Sequence, residues 1–177
     1  MATSTTNIDE SLNVHIRPLS WLLGTWKGEN GSGYYPTISD FNYHERVSFK
    51  PIPNKPIIEY TFVAFKTDGI TPLHKETGFI RVKPDTNQIA FVAAHNLGVV
   101  EILEGTYDGT QLTVETVEKG RTSFNRPPEV LKTKRTFTLS TIDGKTKLES
   151  VLWMETENTE MTEHLKIDLE LQNFSLI

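Results

Sequence analysis

From Trp26 to Leu171 the chain runs in short alternating stretches, and tight-turn markers separate many of them. The markers are Pro51-Ile52-Pro53-Asn54, Thr67-Asp68-Gly69, Pro84-Asp85-Thr86-Asn87, Tyr107-Asp108-Gly109 and Ile142-Asp143-Gly144. Asp-Gly and Pro-Asp steps between period-two runs build hairpins, not the long crossovers that join parallel strands. The alternation predicts strands at Trp26–Glu29, Tyr43–Lys50, Ile57–Lys66, Thr77–Lys83 and Gln88–Ala94. It continues with Gly98–Gly105, Gln111–Glu118, Val130–Ser140, Lys145–Glu155 and His164–Leu171. No stretch beyond Leu23 carries a convincing helical period. An antiparallel meander of about ten strands exposes no edge if it closes on itself, so the expected fold is an all-β barrel with room inside for a ligand. A β-sandwich is the competing arrangement.

Ahead of the strands, Pro18-Leu19-Ser20-Trp21-Leu22-Leu23 reads as a short helix ended by Gly24. Proline suits a first helical turn, and so many apolar side chains need a surface to cover, so the segment is expected to form a helical lid. Residues 1–15 are rich in Ser, Thr and Asn and read as a disordered tail, which leaves 16–177 as one barrel domain. A chain of 177 residues is long enough for one domain with a real core.

Composition removes several function classes. The formal net charge of −5 offers no basic footprint for nucleic acid. With no cysteines there are no disulfides, thiolate nucleophiles or Cys-type zinc sites, a pattern that suits a reducing, cytoplasmic setting. No secretory leader is visible, and no run approaches the roughly 18 apolar residues of a membrane helix.

Five histidines remain as candidates: His15, His44, His74, His95 and His164. None forms a zinc-type pair at helical spacing, and no Gly-x-Ser-x-Gly elbow marks a hydrolase. His15 and His44 read as surface residues. Read from pattern alone, the chain is an antiparallel barrel with an unidentified ligand.

Three segments taken in order say more. Pro18-Leu19-Ser20-Trp21-Leu22-Leu23-Gly24-Thr25-Trp26-Lys27-Gly28 leads into Tyr35-Pro36-Thr37-Ile38. Pro72-Leu73-His74-Lys75-Glu76-Thr77-Gly78-Phe79-Ile80-Arg81 precedes Asn96-Leu97-Gly98-Val99-Val100-Glu101, and Met161-Thr162-Glu163-His164-Leu165 comes last. This order resembles the nitrobindin family of haem-binding β-barrels. It is especially similar to the nitrobindin domain at the C-terminus of an animal THAP-type zinc-finger protein, with no zinc finger in this chain. The resemblance implies one non-covalent haem b at one end of the barrel, with His164 as iron ligand and Thr37 as a second haem contact. His74 matches a histidine near the distal side in plant members. His95 stands where relatives carry glutamine; facing inward it would place an imidazole in the pocket, and facing outward it would be an ordinary surface residue. The family's Gly-x-Trp-x-Gly-x-Gly motif maps onto Gly24, Trp26 and Gly28, with Asn30 in place of the last glycine and Gly31 next. The implied activity is nitric oxide binding at ferric iron and isomerisation of peroxynitrite to nitrate. A haem-free barrel carrying a fatty acid or other apolar ligand is the alternative.

One conflict is internal to the sequence. Leu165, Ile167, Leu169 and Leu171 share a strand face that His164 does not share. A ligating His164 therefore requires a bulge near Glu163–Leu165 or a position at the barrel rim.

Overall fold

The structure, a computed structural model, describes residues 12–142 and 144–173. Ten strands follow one another: β1 (Gly24–Gly33), β2 (Phe41–Pro51), β3 (Ile57–Phe65), β4 (Pro72–Val82) and β5 (Gln88–His95). Then come β6 (Val99–Asp108), β7 (Gln111–Arg121), β8 (Val130–Ile142), β9 (Lys145–Thr156) and β10 (Thr159–Asn173). Each pairs antiparallel with its neighbours in sequence, and β10 returns to β1 to close the barrel. The hairpin chemistry is local. Asn54, Gly69, Asp85, Gly109 and Gly144, one at each turn marker, adopt positive φ between 55° and 75°, the conformation tight β-turns demand.

Closure turns each strand's apolar face inward. Trp26, Tyr43, Phe49, Tyr60, Phe91 and Phe137 are fully buried and form the centre of the core. Their rings meet edge-on or tilted, as in Phe49–Phe137 at 5.8 Å and Tyr60–Phe91 at 5.3 Å. The charged residues of β10, by contrast, stand outward between Ile167 and Leu169.

In a meander barrel, connections alternate between the two ends. One end carries the β2–β3, β4–β5, β6–β7 and β8–β9 turns; the other carries β1–β2, β3–β4, β5–β6, β7–β8 and β9–β10. The N-terminal segment corrects the expected lid in form. It is a single 3-10 helix, Arg17–Leu22, with Pro18 in its first turn, and it sits at the first of these ends. Asn13 Nδ2 donates to the Asn54 carbonyl at 3.4 Å, and His15 lies 3.9 Å from Asp85. Ile16, Leu19, Leu22 and Leu23 are buried in the barrel core, and Trp26 Nε1 donates to the Leu22 carbonyl at 2.8 Å. The segment is a plug. Residues 12–15 of the expected tail are described, with Leu12 buried beside the plug, and residues 1–11 lie outside the described residues. Among the described residues no helix is long and apolar enough to cross a membrane.

Candidate functional site

The unplugged end opens into a cavity of about 590 Å³ whose wall is mainly apolar, with Leu73, Leu97, Val99, Leu152, Met154 and Leu165 among its residues. That volume is in the range of small-molecule and cofactor sites. His164, His74 and His95 all line it.

His164 reaches the cavity through an irregularity in β10. Glu163 pairs with Trp153 and Leu165 with Leu152, so His164 is an extra residue with no partner on β9. A bulge lets two successive residues face the same way, and both His164 and Leu165 line the cavity. The ring is then fixed from the β1–β2 connection. His164 Nδ1 donates to the Tyr34 carbonyl at 2.8 Å, while Tyr34 N–H donates to the His164 carbonyl at 2.8 Å. A carbonyl can only accept, so the ring proton is on Nδ1 and the lone pair is left on Nε2. Tyr35 and Phe41 stand edge-on to the ring at 5.2 and 6.2 Å. Burial pushes the imidazole below its usual range, only partly opposed by the Tyr34 carbonyl, which keeps it neutral and able to ligate.

Space for these rings comes from β1. A Cβ on Gly31 would meet the Tyr43 ring at 2.6 Å, and one on Gly33 would enter the Phe41 ring. The register of β1 against β2 slips by one residue between Gly28 and Gly31, where the sequence departs from the family's glycine spacing. Gly28 itself lies against β10, where a Cβ would stand 2.6 Å from the Asp168 carbonyl.

Across the barrel stands a polar wall. In the closed ring of ten strands, β5 is five strands from β10 in either direction, so His95 rises opposite the strand that carries His164. His95 alternates in phase with buried Ile89, Phe91 and Ala93 and faces inward. Its Nδ1 is 3.0 Å from Nε2 of His74 on β4. Beneath them, Arg135 of β8 donates to both oxygens of Glu76 at 2.9 and 2.7 Å, and the Tyr60 hydroxyl donates to Glu76 at 2.7 Å. Glu101 of β6 accepts from the hydroxyls of Thr116 at 2.9 Å and Thr133 at 3.0 Å. Burial alone would raise the Glu76 carboxyl, but the guanidinium of Arg135 overrides it and brings it down to about 2. Glu101 is likewise held below the usual carboxylate range against its burial, by the His95 ring and the Thr116 hydroxyl. Burial drives His74 down to about 4.

Thr37 is exposed on the β1–β2 connection, in a turn closed by Ile38 N–H on the Tyr35 carbonyl at 3.1 Å, and is not part of the cavity wall. The structure thus groups His164, His74 and His95 around one cavity and leaves Thr37 on the same end of the barrel. Pattern reading passed over Glu76, Glu101 and Arg135. The signal was present: Glu76 shares parity with Ile80 and Val82, Glu101 with Leu103, and Arg135 with Phe137, so each is a charge on an apolar face. Its pairing partner lies too far along the chain to be read.

The residues fit a planar apolar macrocycle with a metal centre. They offer one neutral imidazole with a free Nε2, apolar walls, and Lys66 at the cavity to meet a carboxylate.

Comparisons with known proteins give the chain its family. A family model described as a THAP4-like, heme-binding beta-barrel domain matches residues 15–170. The chain is 41% identical over 157 residues to the human protein named peroxynitrite isomerase THAP4, covering 88% of this chain but 26% of that one. The chain therefore spans about a quarter of the length of such animal relatives. An Arabidopsis thaliana relative named peroxynitrite isomerase Rv2717c is 37% identical over 166 residues, 93% of this chain and 94% of its own. The crystal structure of Rv2717c from M. tuberculosis superposes with a TM-score of 0.78 at 33% identity, over 92% of this chain and 99% of that one.

Proposed function

This chain belongs to the family of THAP4-like, heme-binding β-barrel domains, the nitrobindins, and on that footing we propose that it is a haem-dependent peroxynitrite isomerase. It holds one non-covalent haem b in the cavity, with His164 as the iron ligand, and binds nitric oxide at the ferric iron. The observation that carries this reading is the bulged His164 ring, tied by Nδ1 to the Tyr34 carbonyl and presenting Nε2 to an apolar cavity.

Bound haem supplies a Lewis-acidic iron with an open position for a small oxygen- or nitrogen-donor ligand. The chain supplies the rest. The Tyr34 carbonyl orients the His164 ring and makes it a better donor through Nε2. Leu73, Leu97, Leu152 and Met154 keep water away from the cavity and confine a small substrate within it. Lys66 suits a haem carboxylate, and Thr37, on the connection that begins at Tyr34, adds a polar contact at the rim. His74 and His95 form the wall away from His164. Isomerisation adds and removes no atoms, so no consumed acid or base is required. A cytoplasmic setting completes the reading.

A carrier of fatty acids would need a free cation at depth. Arg135, the guanidinium available there, is occupied on both sides of its fork by Glu76.

One equivalent of haemin added to the purified chain should give a shifted Soret band, and the complex should speed peroxynitrite decay with nitrate as product. In His164→Ala the band and the acceleration should both be lost, with a drop in haem affinity beyond the roughly 10–100-fold that removal of a supporting partner costs. An unchanged spectrum in that variant would refute the assignment.

A further inference from the structure

The wall opposite His164 holds one carboxylate more than its fixed cations match. Arg135 is saturated by Glu76. Glu101 is 5% exposed and accepts only threonine hydroxyls; among the described residues its sole ion-pair contact is His95, with Nε2 3.3 Å from Oε1. That contact is off the line of a hydrogen bond, so His95 Nε2 is a buried polar atom without a partner on the inner face. Nature seldom leaves such an atom unpaired without a use for it. The other ring nitrogen, Nδ1, is 3.0 Å from His74 Nε2 and 3.7 Å from Glu76 Oε2.

These distances describe a chain of exchangeable protons, Glu101–His95–His74, that begins in the barrel wall and ends at the cavity. We propose that the His74–His95 pair, backed by Glu101, is the proton-holding wall of the cavity, so that a small anionic oxygen or halide ligand is bound together with a proton taken up on that wall. The proposal rests on the haem reading above and extends it to the chemical class of ligand that the site prefers: conjugate bases of weak acids over neutral ligands.

The electrostatics give the sign. With the extra proton on the pair, His95 donates Nδ1–H to His74 and faces Glu101 with its second N–H, and the wall is neutral overall. Burial, which drives His74 down to about 4, favours it as the neutral acceptor of that link. Without the proton, Glu101 is an unmatched negative charge on the wall and repels an incoming anion. Two other groups facing the pair leave this balance unchanged: Glu76 of β4 is neutralised by Arg135 of β8, and the Tyr60 hydroxyl of β3 is donated to Glu76. On β2, burial pushes the Glu45 carboxyl up to about 7, and Lys119 of β7 is drawn toward Glu129 at 3.4 Å. Anion affinity is therefore higher when the extra proton matches Glu101 than when it does not.

The test uses the full chain reconstituted with haemin, with fluoride as the anionic probe of the ferric form and carbon monoxide as the neutral probe of the ferrous form. Fluoride affinity, read from the optical spectrum, should rise by up to about tenfold per pH unit, one proton per ligand. His95→Leu should flatten that slope and raise the C–O stretching frequency, while carbon monoxide affinity changes little. His95→Gln, which keeps a donor but cannot exchange a proton, should restore affinity without the slope. A slope shared by the wild type and His95→Leu would overturn the proposal and leave the haem reading intact. So would a six-coordinate, low-spin spectrum that His95→Leu relieves, since the ring would then be a ligand and not a donor. If haemin produces no Soret shift, the haem reading itself fails. In that case the wall is read in the haem-free chain by the ¹⁵N resonances of the two rings: Glu101→Gln should move both together, and independent titrations would refute the coupling.

Discussion

Arg135 and Glu76 are joined by two parallel hydrogen bonds inside the barrel, with Glu76 1% and Arg135 8% exposed. Losing one member leaves a buried charge with no partner, which costs more than the pair itself contributes. Glu76→Leu or Arg135→Leu should each lower unfolding stability by about 3–5 kcal/mol, measured by urea denaturation, and the double variant should recover much of that loss. A double variant as unstable as the summed singles would show that the two act separately. These residues were half legible in the sequence. Parity placed three charges on apolar faces, but a pairing across 59 residues depends on how the ring closes. His164 is the converse case. Its phase conflict with Leu165 was readable beforehand, and the structure resolves it by the extra residue in β10.

The strands themselves were legible because their period and their turns are written locally, each in fewer than a dozen residues. What local pattern does not carry is the end of the barrel an element occupies. The apolar 17–23 segment needed a surface, but either mouth of a barrel would have satisfied that need, and it fills the mouth away from the cavity. The same applies to β1, whose later glycines extend the expected Trp26–Glu29 strand and leave it stripped of side chains where rings lie across it. Gly33→Val should push the Phe41 ring off the strand and disturb its edge contact with His164. Overpacking of this kind costs typically about 1–3 kcal/mol. Haem affinity should fall in the same variant, whereas valine at exposed Ser32 should leave both quantities close to wild type.

For the molecule as a whole, the buried titrating groups set an acid limit. Glu76, held down to about 2, contributes stability that is fully present above its ordinary value near 4.5 and is lost as pH falls through 2. His74, driven down to about 4, contributes in the same sense: its share is present above about 6.5 and is lost as pH falls toward 4. Glu45, raised to about 7, acts the other way, with its share present below 4.5 and lost as pH climbs through 7. Opposing contributions between pH 7 and 4.5 predict a shallow profile there, followed by a steep loss below 4.5. Urea midpoints measured from pH 8 to 3 should show that break. Glu76→Gln, less stable throughout, should show a weaker one, and an equal break in both proteins would mean that Glu76 is not its source.

The 3-10 plug has a consequence for traffic. Among the described residues the barrel is stopped at one end and open at the other, so a prosthetic group and small ligands would share one threshold. A haem loaded there would narrow the entrance that small ligands use, and one ligand would have to leave before the next could enter. Slow exchange of the large group and rapid passage of the small ones would be properties of one portal, its gauge set by the loops that join β1 to β2, β3 to β4 and β5 to β6.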